Sequence, residues 1–128
     1  MEKLLFTLSG VFGFSAVALG AFGAHGLKTL FKDTADVEQR LAWWQTAAHY
    51  HLIHALAIAL AAHLASKTGA TSASVAGYCF AGGILLFSGS LYAMTLSGIR
   101  VLGAVTPLGG LSLLAGWMAL IATARNLP

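Results

Sequence analysis

Four long apolar runs divide this chain, and the stretches between them are short and polar. They cover residues 4–24, 45–64, 73–96 and 104–124. Each is about 20 residues long, the length at which a helix rising ~1.5 Å per residue crosses the ~30 Å hydrocarbon layer of a bilayer. Lipid offers no partner for an open backbone, so spans of this length are helical. The pattern predicts an all-α membrane protein: a single transmembrane domain over 1–128, built as a four-transmembrane-helix bundle with both termini on the same side. Ala18 and Gly20 give the first run some likeness to a secretory signal, yet its basic leader is Lys3 alone and three more runs follow, which predicts an uncleaved span.

The polar stretches refine this layout. Between the first two spans, Lys28, Lys32 and Arg40 alternate with Asp33, Asp36 and Glu38. Leu27, Leu30 and Phe31, at i, i+3 and i+4, predict a short amphipathic segment lying in the interface between helices 1 and 2. The second helix is expected to begin near Asp36, with Trp43 and Trp44 both at headgroup level. Thr106-Pro107 sits near the start of the fourth span, where proline is tolerated in the first turn. Small residues recur at helical spacing: Ala16, Gly20 and Ala24 in the first span, Gly109, Gly110, Ser112 and Gly116 in the fourth. Two such faces exceed what one four-helix bundle needs for close packing, so a homo-oligomer is expected.

Composition supports the membrane reading and removes several functional classes. The chain is 58% hydrophobic and 9% charged, with a mean hydropathy of +0.81, so lipid is the solvent for most of its surface. Its seven Lys and Arg against four Asp and Glu stand singly at the edges of the runs. That is the placement of membrane-flanking cations and leaves no basic stripe for nucleic acid. Cys79 is the only cysteine, so neither an intrachain disulfide nor a CxxC motif can form. No Asp or Glu lies inside a span, which removes a carboxylate proton relay, a cage of charged oxygens for a hard cation and a Ser-His-acid triad.

What remains for chemistry is imidazole, phenol, hydroxyl and backbone carbonyl, concentrated at the start of the second span. At ~100° per residue, His49 points about 160° from His51 and about 140° from His54, so the three cannot share one ion. His51 and His54, about 60° apart, are the metal-capable pair. Tyr50 and His54, at i and i+4, are a second aligned pair, while Gln45, His49 and His63 lie on the opposite face. The third span offers Ser88 and Tyr92 at i and i+4, and Thr106 and Arg100 stand ready to close a site from the fourth. His25, set between glycines at the end of the first span, either caps the last carbonyls or carries a ligand or proton at the mouth of the bundle. This set suits a transition metal, a haem iron or a polar ligand headgroup.

Several stretches together resemble one family. They are Gly13-Phe14, Val17 to His25, Gln45-Thr46 with Tyr50 and His54 to Ala57, Leu86 to Tyr92, and Thr106 to Gly110 with Gly116-Trp117. In this order, and over nearly the whole chain, they are similar to the domain-of-unknown-function family 423, which includes the eukaryotic transmembrane protein 256. The resemblance implies a multi-pass protein, in bacteria in the plasma membrane (the inner membrane), and brings no activity with it. It places His25, Tyr50, His54, Ser88, Ser90, Tyr92 and Thr106 on motif positions. It also implies that glutamine can stand at His51, which keeps the hydrogen bonding and loses the metal affinity.

The sequence therefore predicts a non-enzymatic integral membrane protein that holds a small ligand or cofactor in a polar intramembrane pocket, with His25, Tyr50, His54, Ser88, Tyr92 and Thr106 as ligand-binding residues. Its alternatives are a structural or accessory subunit of a membrane complex and a small oligomeric channel or transporter. Membrane lipid, a second copy of the chain and a membrane-protein partner are the expected contacts.

Overall fold

The computed structural model describes all residues 1–128, and every regular element in it is helical. In chain order these are α1 (Glu2–His25), the one-turn α2 (Leu27–Leu30), α3 (Val37–Thr68), α4 (Thr71–Gly83), a π-helical turn (Ile84–Ser88), α5 (Gly89–Ser97), a 3-10 stretch (Arg100–Ala104), α6 (Thr106–Thr123) and a final 3-10 turn (Ala124–Asn126). Four continuous helical stretches are long and apolar enough to cross a membrane: Glu2–His25, Val37–Thr68, Thr71–Ser97 and Arg100–Asn126.

The second and third spans form the middle of the molecule, and the first and fourth flank them. Within the most apolar window of each, 44% and 50% of residues are buried in the middle pair, against 11% and 17% in the flanking pair. α1 packs chiefly on α3, and α6 on α4 and the π turn. Alanine makes the centre possible. Ala57, Ala61 and Ala62 of α3 and Ala76 of α4 present so little side chain that Leu5, Ile58, Phe80 and Leu113 fill the space between helices. Glycine brings the third and fourth spans closer still: an added Cβ at Gly109 would fall on the backbone of Phe87, and one at Gly83 on the side chain of Leu113. The π turn lies at this contact. One extra residue in the turn re-aims the side chains after it, a device found often at functional sites.

Polar residues close the ends. Gly69 (φ 64°) and Gly98 (φ 73°) take the left-handed conformation that ends α3 and α5. Arg40 bridges the second and third spans, donating from Nε to Asp36 Oδ1 (2.9 Å) and from its terminal nitrogen to the Thr95 carbonyl (2.9 Å). The hydrogen bond from Arg40 holds the Asp36 carboxyl below its ordinary range, and the charges of Arg40 and, further off, Arg100 add to the effect.

Two sequence expectations change here. Only Trp43 stays near the surface, half-buried with the Arg100 guanidinium over its ring. Trp44 is buried, donating Nε1–H to the Leu19 carbonyl at 2.8 Å. Adjacent residues on a helix point ~100° apart, so when one indole faces outward the other turns toward the neighbouring helix. In the predicted small stripe of α1, Ala16 is buried, but Gly20 has open space around it and Ala24 is exposed. Gly116, in contrast, packs within the protomer, against the Phe80 ring. The segment between helices 1 and 2 is a single helical turn in which Leu27 is fully buried, Phe31 is half-buried with the Arg40 guanidinium over its ring, and Leu30 is exposed.

Candidate functional site

His54 is buried, and both of its ring nitrogens are engaged. Nδ1 lies 2.7 Å from the Tyr50 carbonyl, which can only accept, so Nδ1 carries the proton. Nε2 then accepts the Trp117 Nε1–H at 3.1 Å. The result is a polar bridge from the second span to the fourth. Around it, Tyr50 and His54 lie with near-parallel rings (13°, centroids 5.9 Å), Tyr50 meets Phe87 at 4.6 Å, and Trp117 meets Phe80 at 5.1 Å.

Three residues earlier, His51 serves a different neighbour. It is buried, with Nδ1 3.1 Å from the Tyr92 hydroxyl and Nε2 3.3 Å from Ser15 Oγ, which also donates to the Phe12 carbonyl at 3.1 Å. One direction satisfies every donor: Tyr92 O–H to Nδ1, Nε2–H to Ser15, Ser15 O–H to Phe12. His51 thus uses one acceptor and one donor, a pattern that a glutamine amide can reproduce.

The sequence-predicted residues therefore fall into separate groups. Tyr50 and His54 face the fourth span together. Tyr92 joins His51 and Ser15 between the first and third. Ser88 donates to the Ala47 carbonyl at 2.7 Å, and Thr106 shares a 2.7 Å hydrogen bond with Ser90, which also donates to the Phe87 carbonyl. His25 is exposed at the end of α1, apart from all of these, and His49 and His63 are exposed as well. Arg100 lies outside the spans' interior, near Asp36 and Trp43. As for the metal-capable pair, the nitrogens of His51 and His54 are each committed to different partners. No group of three or more His, Cys, Asp or Glu side chains converges anywhere in the chain. A metal at either imidazole would first have to displace a hydrogen-bond partner from another span. Trp117 and Ser15 are the residues that sequence reasoning missed as polar partners.

Beside the His54–Trp117 bridge lies a groove of about 560 Å³. Tyr50 and His54 of α3 form one wall, Phe87 of the π turn the floor, and Pro107, Gly110 and Trp117 with three leucines of α6 the other wall. It exists because the second and fourth spans scarcely touch, each leaning on the third. A smaller cavity of about 220 Å³ lies on the other flank, beside His51, Ser15 and Tyr92.

Four spans, apolar flanks and an interior in which no buried polar side chain is left unpaired define an integral membrane protein. Residues 19–110 match the family described as "Protein of unknown function (DUF423)". The chain is 41% identical over 123 residues to the UPF0382 membrane protein YwdK of Bacillus subtilis, covering 95% of this chain and 96% of that one. It is 38% identical over 126 residues to the UPF0382 inner membrane protein YgdD of Escherichia coli, covering 98% and 92%, and 38% identical over 120 residues to a UPF0382 membrane protein of Haemophilus influenzae, covering 94% and 92%. The chain belongs to this family. No solved structure matches it.

Proposed function

We propose that this plasma-membrane protein binds a small, uncharged, membrane-dissolved ligand in the groove between its second and fourth spans, without catalysing a reaction on it. The observation that carries the reading is the groove's form. About 560 Å³ is the size of a small-molecule site, the lining is apolar with a few placed polar groups, and its Leu111 and Leu114 are among the exposed apolar side chains of the fourth span. Lys, Arg, Asp and Glu are absent from the lining, so a charged ligand would be desolvated there without compensation. A plug tests this. A Cβ at Gly110 would meet only the Phe87 ring, at 3.8 Å, so the side chain of Gly110→Phe enters the groove without striking backbone. Protein purified in mild detergent should release an uncharged organic molecule in near-stoichiometric amount on solvent extraction, and Gly110→Phe should release little. Equal release from both, or none from the wild type, would overturn the reading.

We also propose a homo-oligomer, and the outer face of α1 favours it. Added Cβ atoms at Gly10, Gly13 and Gly20 would meet nothing, and exposed Phe6, Phe14 and Val17 lie among them. Close helix approach in lipid uses faces of this kind. Gly13→Leu should leave the protomer's melting temperature unchanged and reduce the native mass to that of a monomer. A monomeric wild type at high protein concentration would sink the idea.

A further inference from the structure

The groove reading can be taken further, to the chemical class of the ligand, and the inference rests on that reading. The hydrogen-bonding groups along the groove nearly all cancel. The Trp117 N–H is used by His54 Nε2, and the His54 Nδ1–H by the Tyr50 carbonyl. One group is left over. The Tyr50 hydroxyl makes no hydrogen bond to protein, although its ring is held against Phe87 and His54. Tyr50 lines the groove, and its hydroxyl is the one donor among the lining side chains that the protein does not itself use.

Depth narrows the choice. Trp43, beneath the exposed Arg100, marks the interface, and Tyr50 lies seven residues further along the same helix, ~10 Å deeper at 1.5 Å per residue. A phospholipid or other charged headgroup stays at the interface and does not reach this level; an uncharged oxygen on an apolar molecule does. The walls narrow the choice further. Tyr50, Phe87 and Trp117 bring aromatic side chains to one cleft from three different spans, and stacked or edge-on contact with a flat ring is the arrangement such faces favour. The leucines of α6 continue the groove with plain aliphatic surface suited to a chain.

We infer that the groove takes a lipid quinone-type molecule, a flat carbonyl-bearing ring on a long apolar tail, with a ring carbonyl accepting the Tyr50 hydroxyl and the ring lying among Tyr50, Phe87 and Trp117. The step is binding alone; no bond is made or broken.

The test uses the full chain in lipid nanodiscs and two probes with the same tail, a decyl-substituted benzoquinone and decylbenzene. The quinone should bind the wild type and should bind Tyr50→Phe ~3- to 10-fold more weakly, the loss of one hydrogen bond. Tyr50→Phe removes only a hydroxyl that the protein does not use, so its fold is retained; an unchanged melting temperature checks this. Decylbenzene should bind more weakly than the quinone and respond equally to both proteins, and Gly110→Phe should bind neither probe. Equal quinone affinity for wild type and Tyr50→Phe, or decylbenzene binding as well as the quinone, overturns the ligand class and leaves the groove reading standing. A phospholipid recovered from the groove, lost in Gly110→Phe, overturns both the ligand class and the uncharged-ligand reading of the groove. Failure of both probes to bind, together with no extractable molecule, removes the groove reading and this inference with it.

Discussion

Replacing Gly109 with alanine is expected to be the most damaging single-methyl change in the protein, lowering stability by ~3 kcal/mol or more, the upper end of the overpacking range. The added Cβ would overlap the Phe87 backbone at the π turn. A side chain in that place could rotate aside, but backbone cannot. α6 would have to lift away from the third span along the contact that also carries the Ser112 hydroxyl to the Cys79 carbonyl (2.8 Å) and the Ser72–Thr123 pair (2.8 Å). Cys79, the chain's only thiol and half-buried at that contact, reports the outcome. In a thermal ramp with a thiol-reactive dye, Gly109→Ala should label at a temperature well below the wild type, while Gly89→Ala, whose Cβ would meet nothing nearer than 4.0 Å, should label with the wild type. Coincident curves for Gly109→Ala and wild type would show that the two backbones are not in contact.

That contact could not be read from the sequence, although the helices that make it could. Lipid imposes helix length, so four apolar runs suffice to define four spans. Lipid also weakens the usual clue to helix rotation, because the outward face of a span is as apolar as its inward face. Orientation had to come from the few polar residues, and these turned out to serve different neighbours: His51 reaches back to Ser15 and across to Tyr92, and His54 reaches Trp117. The burial of His54 and its neighbourhood with Tyr50 were legible, because an imidazole so deep needs partners and i, i+4 spacing supplies one. The Tyr50 group it uses is the carbonyl, though, and its second partner is an indole in the last run, where nothing but position inside an apolar block set Trp117 apart. Ser88 and Tyr92 read as one face, yet Ser88 spends its hydroxyl on the Ala47 carbonyl. The π turn between α4 and α5 has no sequence signature beyond its flanking glycines.

The second large effect is expected at the bridge between the second and fourth spans. His54→Leu keeps much of the volume and removes both hydrogen bonds, leaving the Trp117 N–H facing hydrocarbon with no acceptor. An orphaned donor costs ~1–3 kcal/mol, and neither lipid nor the leucines of α6 can make it good. His54→Gln should recover most of the loss, since its side-chain carbonyl can accept the indole hydrogen. Trp117→Phe should also destabilise, by removing the donor and leaving His54 Nε2 unpaired. The double variant His54→Leu/Trp117→Phe should therefore cost less than the two single changes added together, because neither side is then left with an unmet partner. The coupling, read from the same Cys79 labelling midpoints, should be ~1 kcal/mol. Fluorescence gives an independent reading, because in His54→Leu the Trp117 indole loses its hydrogen-bond acceptor and its emission should move to shorter wavelength, with Trp43→Phe in the background to reduce overlap. Additive costs, with no spectral change, would mean that the indole and imidazole do not hold the two spans together.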